Sequence, residues 1–274
     1  SYEPHAEASV ENGDWTKDSF RFRFLFFMEK LMSQKARYII SATAGMKTYA
    51  LEKYQVIPKN FYVKPACVNL DLFSKKNIKN KDLLQKLGLE NKIVCVYAGK
   101  FGGIYLDQAV FDFWKVAADF WKDRFAILLL SNQSDEQIGE WAKNACLDKS
   151  LIIKQFVFHH QIPDYMGLAD FALTPVKPIP TKRYCTPIKN GEYWALGLPV
   201  VSTANISDDS EIIEKNKIGA IIRTFEKADY QRVVSEIDQL LQENTSKNFE
   251  KIRQIAFQYR SFEIAEQIYS QIYG

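Results

Sequence analysis

From Asn91 to Ile222 the chain alternates short apolar runs with segments of helical period, an order that few folds accept. Strands are expected at 92–98, 125–131, 151–156, 171–175, 199–203 and 218–222, and helices at 106–121, 134–146, 161–168, 187–196, 208–215 and 229–243. Short apolar runs bounded by turn residues suit strands covered on both faces. Parallel strands need a crossover between them, and a helix supplies it, so the pattern predicts an α/β, Rossmann-like doubly wound parallel sheet. Ligands of such sheets sit beyond the carboxyl ends of the strands. The segments that begin at Gly99, Val157 and Thr186 emerge at those ends.

Length and composition narrow the reading further. At 274 residues and 47% hydrophobic, the chain can bury one large core or two modest ones. Its net charge of +3, from 36 basic and 33 acidic residues, gives no reason to expect a nucleic-acid binder. Cys67, Cys95, Cys146 and Cys185 are widely spaced without a CxxC pair, so free thiols in a reducing, cytoplasmic setting are expected rather than disulfides or a metal site. No apolar run reaches the ~20 residues that span a bilayer, and no signal peptide is visible. The opening Ser1-Tyr2-Glu3-Pro4-His5 is expected to lie inside a domain.

The segment from Thr186 to Val201 carries the strongest chemistry. It reads as a helix with a Thr186 cap and Pro187 in its first position, ending at Gly197 before an apolar strand. Free N–H groups at Ile188 and Lys189, the positive end of the helix dipole and the Lys189 ammonium together attract a phosphate. Glu192, one turn later, can accept hydrogen bonds from two neighbouring hydroxyls such as those of a ribose. One short helix would then hold both halves of a nucleoside diphosphate.

This segment, with Glu192-Tyr193-x-Ala195-x-Gly197-x-Pro199-Val200-Val201 at its centre, resembles the donor-site signature of GT-B glycosyltransferases of the family 4, or group 1, kind. Phe156 to Asp170, with Ile162-Pro163-Asp164-Tyr165-Met166 and Ala169-Asp170, is similar to the family's strand, loop and helix ahead of that signature. Glu211-Ile212-Ile213 and Ile218 to Ile222 are similar to its ending, and Val94 to Gly103 stands where the family has its first strand and glycine loop. The resemblance covers roughly residues 60 to 240. It implies that Gly99, Lys100, Gly102, Val157, Phe158, Thr186, Ile188, Lys189 and Glu192 bind the donor, with Val157 and Phe158 reading the base through their backbone. It also implies that His5 faces the sugar across an interdomain cleft in a catalytic role; the alternative is a terminal histidine without one.

Two departures from the family pattern matter. The family's arginine after the first glycine is Lys100 here, which lacks the bidentate fork, and the second basic residue has no counterpart in Phe101 to Leu106. A glutamate stands eight residues ahead of Glu192 in many members, whereas Tyr184 occupies that position here; Lys182 and Arg183 beside it receive no role.

Residues 1–72 look like the end of the family's N-terminal, acceptor-binding domain, with a helix at 17–36, a short strand at 38–41, a helix at 43–54 and a strand at 61–65. Residues 73–248 form the nucleotide-sugar domain, and 249–274 a final helix returning toward the first domain. Lys75 to Lys81 reads as a solvated connector. Phe20-Arg21-Phe22-Arg23-Phe24-Leu25-Phe26-Phe27-Met28 is expected to be a core helix, with an aromatic, basic face lying on a membrane as the alternative.

The resemblance therefore implies a retaining, metal-independent glycosyltransferase without a cofactor, using a UDP-, GDP- or other nucleoside diphosphate sugar and a polysaccharide or lipid-linked glycan acceptor. Its setting would be the cytoplasm or the inner face of the membrane, and the fragment alone would turn over poorly. The competing reading is a nucleotide-sugar-binding module without catalysis. A nicotinamide dinucleotide domain is disfavoured, because Gly99-Lys100-Phe101-Gly102-Gly103 lacks the G-x-G-x-x-G spacing.

Overall fold

The computed structural model describes residues 3–243 and 245–274. The chain opens with α1 (His5–Glu11), α2 (Phe20–Lys35), β1 (Ile39–Ser41), α3 (Gly45–Tyr49), a π turn over Ala50–Tyr54 and β2 (Phe61–Val63). Strands β1 and β2 pair in parallel, Ile40 opposite Tyr62. Met46, Tyr49, Ala50 and Tyr54 make a small core of their own beside them.

The remaining elements are α4 (Lys81–Lys86), β3 (Ile93–Ala98), α5 (Gln108–Trp121), β4 (Phe125–Leu130), α6 (Asp135–Asn144), β5 (Ile152–Gln155), α7 (Ile162–Met166) and β6 (Phe171–Thr174). They continue with α8 (Ile188–Ala195), β7 (Val200–Thr203), α9 (Asp209–Asn216), β8 (Gly219–Ile222), α10 (Lys227–Gln242), α11 (Thr245–Arg260) and α12 (Phe262–Tyr273). The six strands β3 to β8 form one parallel sheet in the order β5-β4-β3-β6-β7-β8, as the alternating pattern predicts. The order reverses between β3 and β6, and a crevice opens at such a point.

Alternation along each strand splits the core into two layers. Val94, Val96 and Ala98 of β3 face Tyr193, Trp194, Ile252 and Ile255 of α8 and α11. Cys95 and Tyr97 face Phe111 and Trp114 of α5 and the α10 residues Val233 and Ile237. Successive strand side chains point to opposite faces, so both faces are apolar and the strands read as continuous hydrophobic runs.

Several sequence expectations require correction. The final helix is two helices, because Ser261 adopts an extended conformation (φ −69°, ψ 152°) between them. The 75–81 connector is anchored rather than merely solvated: Asn77 Nδ2 donates to Asp164 Oδ1 at 2.6 Å, and Lys79 Nζ lies 2.8 Å from Asp170 Oδ1. The Phe20–Met28 helix is not a core helix, since Phe20, Phe24 and Phe27 are exposed. His5, expected to face a cleft, is the exposed first residue of α1, a helix that follows Pro4.

Candidate functional site

Helix α8 starts one residue later than its sequence suggests, and the reason bears on chemistry. Pro187 is the cap residue and no side chain caps the helix. The Thr186 hydroxyl, expected to be the cap, instead donates to the carbonyl of Ala42 at 3.0 Å, tying the start of α8 to the loop after β1. The N–H groups of Ile188 and Lys189 consequently find no acceptor among the described residues, while that of Asn190 bonds back to Pro187 O. Unsatisfied donors at a helix start, with the dipole behind them, favour an anion.

Lys189 and Glu192 meet: Nζ lies 2.6 Å from Oε2, an i,i+3 pair on one helix face. The Glu192 side chain is only 8% exposed and that of Lys189 32%. A largely buried carboxylate with a cation one turn away is held ready to accept hydroxyl protons, and the cation stays partly open to solvent. Gly197 closes the helix, with Gly197 N–H bonded to Trp194 O and Leu198 N–H to Tyr193 O. This pair of bonds is the Schellman pattern.

The rest of α8 is fastened by groups without an expected role. Tyr193 accepts the N–H of Ala98 at 3.0 Å, joining α8 to the last residue of β3 ahead of Gly99. Asn190 accepts from the Thr174 hydroxyl at 2.6 Å and donates to Asp209 Oδ2 at 2.7 Å. Asp209 in turn pairs with the guanidinium of Arg260, at the end of α11; the two side chains are 0% and 3% exposed. Arg260 also lies over the Trp194 ring, 5.2 Å from its centroid. Gly191 makes this approach possible, because a Cβ there would stand 2.7 Å from Val68 Cγ2 and 3.0 Å from Arg260 Cγ. In sequence the only sign of this network is an Asn on an otherwise apolar helix face; its partners lie 16, 19 and 70 residues away.

A cavity of about 260 Å³ opens at the carboxyl ends of β3, β4 and β5. It is lined by Gly99, Ser131, Asn132, Gln155, Val157 and Lys189, among others, so three of the expected donor residues come together from two loops and the first turn of α8. Gly102 has φ +76°, with open space where a Cβ would be. That backbone region admits glycine without strain. Lys100 is exposed at the neighbouring turn, and its carbonyl accepts from Tyr97 Oη. Phe158 is exposed, its N–H donates to Gln161 Oε1 at 3.4 Å, and its ring stacks with His160.

Other expected residues lie apart from this cavity. Thr186 lines a second one of about 390 Å³ with Glu3, Ser41, Lys64 and Tyr269. Tyr184 packs edge-on against Tyr49, with ring centroids 5.0 Å apart. Lys182 is buried and Arg183 exposed. The four cysteines are free, and burial pushes the Cys95 thiol up to about 12. Among the described residues no three His, Cys, Asp or Glu side chains converge as metal ligands, and no helix is long and apolar enough to cross a membrane.

The six-stranded parallel sheet and its covering helices define an α/β protein of the GT-B glycosyltransferase architecture. The family model described as glycosyl transferases group 1 matches residues 92–243, more than half of the chain, and the protein belongs to that family. No curated protein matches it by sequence. Among solved structures it is similar to WaaG, a glycosyltransferase involved in lipopolysaccharide biosynthesis, at TM-score 0.74 and 17% identity over 98% of this chain and 72% of that one. A glycosyltransferase from Rickettsia africae aligns at TM-score 0.70 and 17% identity over 89% of this chain and 65% of that one. HepE of Anabaena, in complex with UDP and glucose, aligns at TM-score 0.70 and 15% identity over 91% of this chain and 67% of that one. The chain thus spans roughly two thirds of most of these relatives, and at such identities the likeness speaks for the fold.

Proposed function

We propose that this glycosyltransferase chain binds the diphosphate of a nucleoside diphosphate sugar at the start of α8 and the ribose at Glu192, for transfer of a hexose to a polysaccharide or lipid-linked glycan. The observation that carries the reading is the pairing of two unsatisfied N–H groups at Ile188 and Lys189 with the buried Lys189–Glu192 couple. Lys189 also lines the cavity at the strand ends, where a base would rest against Val157 and Gly99. Charge developing on the departing diphosphate would be stabilised by these fixed donors and by Lys100. Such donors take the place of a metal, and the family resemblance supports retention of configuration. HepE in complex with UDP-glucose makes UDP-sugars the first donors to try.

Residues 1–72 are proposed as the end of an acceptor-binding domain and 73–248 as the donor domain. The separate β1–β2 sheet supports this division, as does α12, whose Tyr269 reaches the cavity beside Ser41 and Lys64. The chain spans roughly two thirds of its solved relatives' length, so alone it is proposed to bind nucleotide and turn over slowly, in the cytoplasm or at the inner membrane face. His5, on α1, is proposed to reach the sugar only on closure of a cleft between the two units.

Calorimetric titration with UDP and GDP tests the assignment. Charged hydrogen bonds of the kind Glu192 would make contribute about 1.5–3 kcal/mol, so Glu192→Ala should weaken the preferred nucleotide by roughly 10- to 100-fold. Equal affinity in the variant would remove the ribose assignment. A second reading, a nucleotide-sugar-binding module without catalysis, draws support from Tyr184. The position of the paired glutamate is spent on packing against Tyr49, and a Cβ at Gly45 would lie 3.4 Å from the Tyr184 ring. Donor hydrolysis by the longest natural form of the protein separates the two.

A further inference from the structure

A cavity of about 680 Å³, larger than the two described above, lies between the loop after β1, the end of β2, helix α9 and the elbow where α11 meets α12. Clefts that take small molecules have volumes of roughly 300–1,000 Å³. One whole face of α9 lines it: Asp208, Glu211, Ile212, Lys215 and Asn216 stand at i, i+3, i+4, i+7 and i+8. Ala42, Val63 and Pro65 line it from the N-terminal unit, and Tyr259 and Ile264 from the elbow.

Asp208 is the residue whose placement the fold leaves unexplained. It stands at the N-cap position of α9, where an Asp side chain normally accepts a helix N–H, yet it makes no cap bond. Its carboxylate takes the N–H of Ala44 instead, at 3.5 Å, beyond the usual range of an N–H···O bond. Half-buried and short of donors, the group is pushed up in pKa by desolvation. Glu211, one turn on, repeats the charge, and like charges at that spacing weaken a helix by themselves. A carboxylate at such a cleft can accept from two neighbouring hydroxyls.

Charge and shape say what brings the hydroxyls. The Arg260 guanidinium beside the cleft is paired with Asp209, so Lys215 is set against both Asp208 and Glu211, and the lining is net acidic. That disfavours phosphates and acidic sugars. Among the described residues no three side chains converge as metal ligands. The apolar residues and the half-buried Tyr259 ring suit the C–H face of a sugar better than a compact cation. Ala42 and Pro65 also line the cavity that holds Thr186, so the two cavities share a wall and a chain lying in this one can reach the start of α8. We propose that this cleft binds a neutral stretch of the acceptor glycan, with Asp208 and Glu211 accepting from its ring hydroxyls and the growing end directed past Ala42 toward Thr186. Naming the occupant as acceptor rests on the proposed sugar transfer, whereas the cleft shares no residue with the donor groups Ile188, Lys189 and Glu192.

Saturation-transfer NMR with maltotriose, cellotriose and chitotriose tests it, with spermidine as the cationic alternative. At least one trisaccharide should bind at millimolar concentration, and spermidine should not displace it. Asp208→Leu should weaken that binding by about tenfold or more, the loss that hydrogen bonds to a charged group imply. Ala44→Trp adds bulk at an exposed position of the lining and should block the cleft. Both variants should keep the parent affinity for UDP, because neither residue lies at the start of α8. Should Asp208→Leu fail to fold, Ala44→Trp decides alone. No binding of any of these sugars, undiminished binding in either variant, or displacement of the sugar by spermidine overturns the proposal. Loss of UDP binding with sugar binding kept would instead count against the donor assignment on α8 and leave the cleft standing.

Discussion

Replacing Asp209 by alanine is the sharpest probe of how α8 is held in place. The carboxylate is fully buried and serves two partners, the Arg260 guanidinium and Asn190 Nδ2 at 2.7 Å. Without it, a cation that is 3% exposed keeps the carbonyl of Tyr259 as an acceptor and the charge of nearby Asp208, and has no ion-pair partner. Breaking a buried ion pair from one side costs about 3–5 kcal/mol. Leaving the Asn190 amide unpaired would by itself cost about 1–3 kcal/mol. The two losses share one carboxylate and are not additive, so about 4 kcal/mol is the expected total. With an unfolding entropy of about 2.1 cal/mol/K per residue, a chain of 274 residues should lose roughly 7 °C in Tm. Arg260→Met combined with Asp209→Leu removes both charges together and should recover more than half of the loss, because an apolar pair of similar volume carries no desolvation penalty. Thermal and urea unfolding followed by far-UV circular dichroism measures both. A cost below about 1 kcal/mol for Asp209→Ala, or a double variant as unstable as the sum of the single ones, would refute the argument that an uncompensated guanidinium is what destabilises the fold.

Two further outcomes follow from the geometry. Tyr193→Phe removes the acceptor of the Ala98 N–H and should cost about 1–3 kcal/mol, with faster amide hydrogen exchange at Ala98; unchanged exchange there would mean the bond contributes nothing. Burial raises the Glu29 pKa above its ordinary 4.5, against the opposing effect of the hydrogen bonds from Tyr54 and Ala6. A carboxyl raised in the folded state contributes stability below pH 4.5 and loses it as pH rises through the folded value. Burial raises Asp208 with the same sign, so Glu29→Gln should flatten part of the stability decline toward neutral pH and leave the chain at least as stable there. A steeper decline in urea titrations across that range would contradict it.

The parallel sheet was legible because its evidence is local. Buried strands such as Phe125 to Leu130 must be apolar throughout, and helices such as Gln108 to Trp121 must be apolar on one face. Those constraints appear within windows of a few residues. Helix α8 was legible for the same reason: Gly197, Lys189 and Glu192 lie within a single short segment. Local reading failed where a side chain had a choice of partners. Thr186 could cap its own helix or bond to Ala42, and the nearness of the loop after β1 decided it.

The face that α2 turns outward was likewise beyond the sequence. Phe20, Phe24 and Phe27 have the period of a core stripe, but the bonds of Glu29 with Tyr54 and Ala6, and Phe26 packed on the Tyr54 ring, turn the opposite face inward. Sequence alone therefore determined the alternation of strands and helices in the parallel sheet and the residue types at the start of α8. Tertiary structure alone decided the Thr174–Asn190–Asp209–Arg260 chain, the break at Ser261 and the orientation of α2. The physical reason is that periodicity reports on neighbours along the chain, whereas a buried polar group is satisfied by whichever distant partner the packing brings within hydrogen-bond reach.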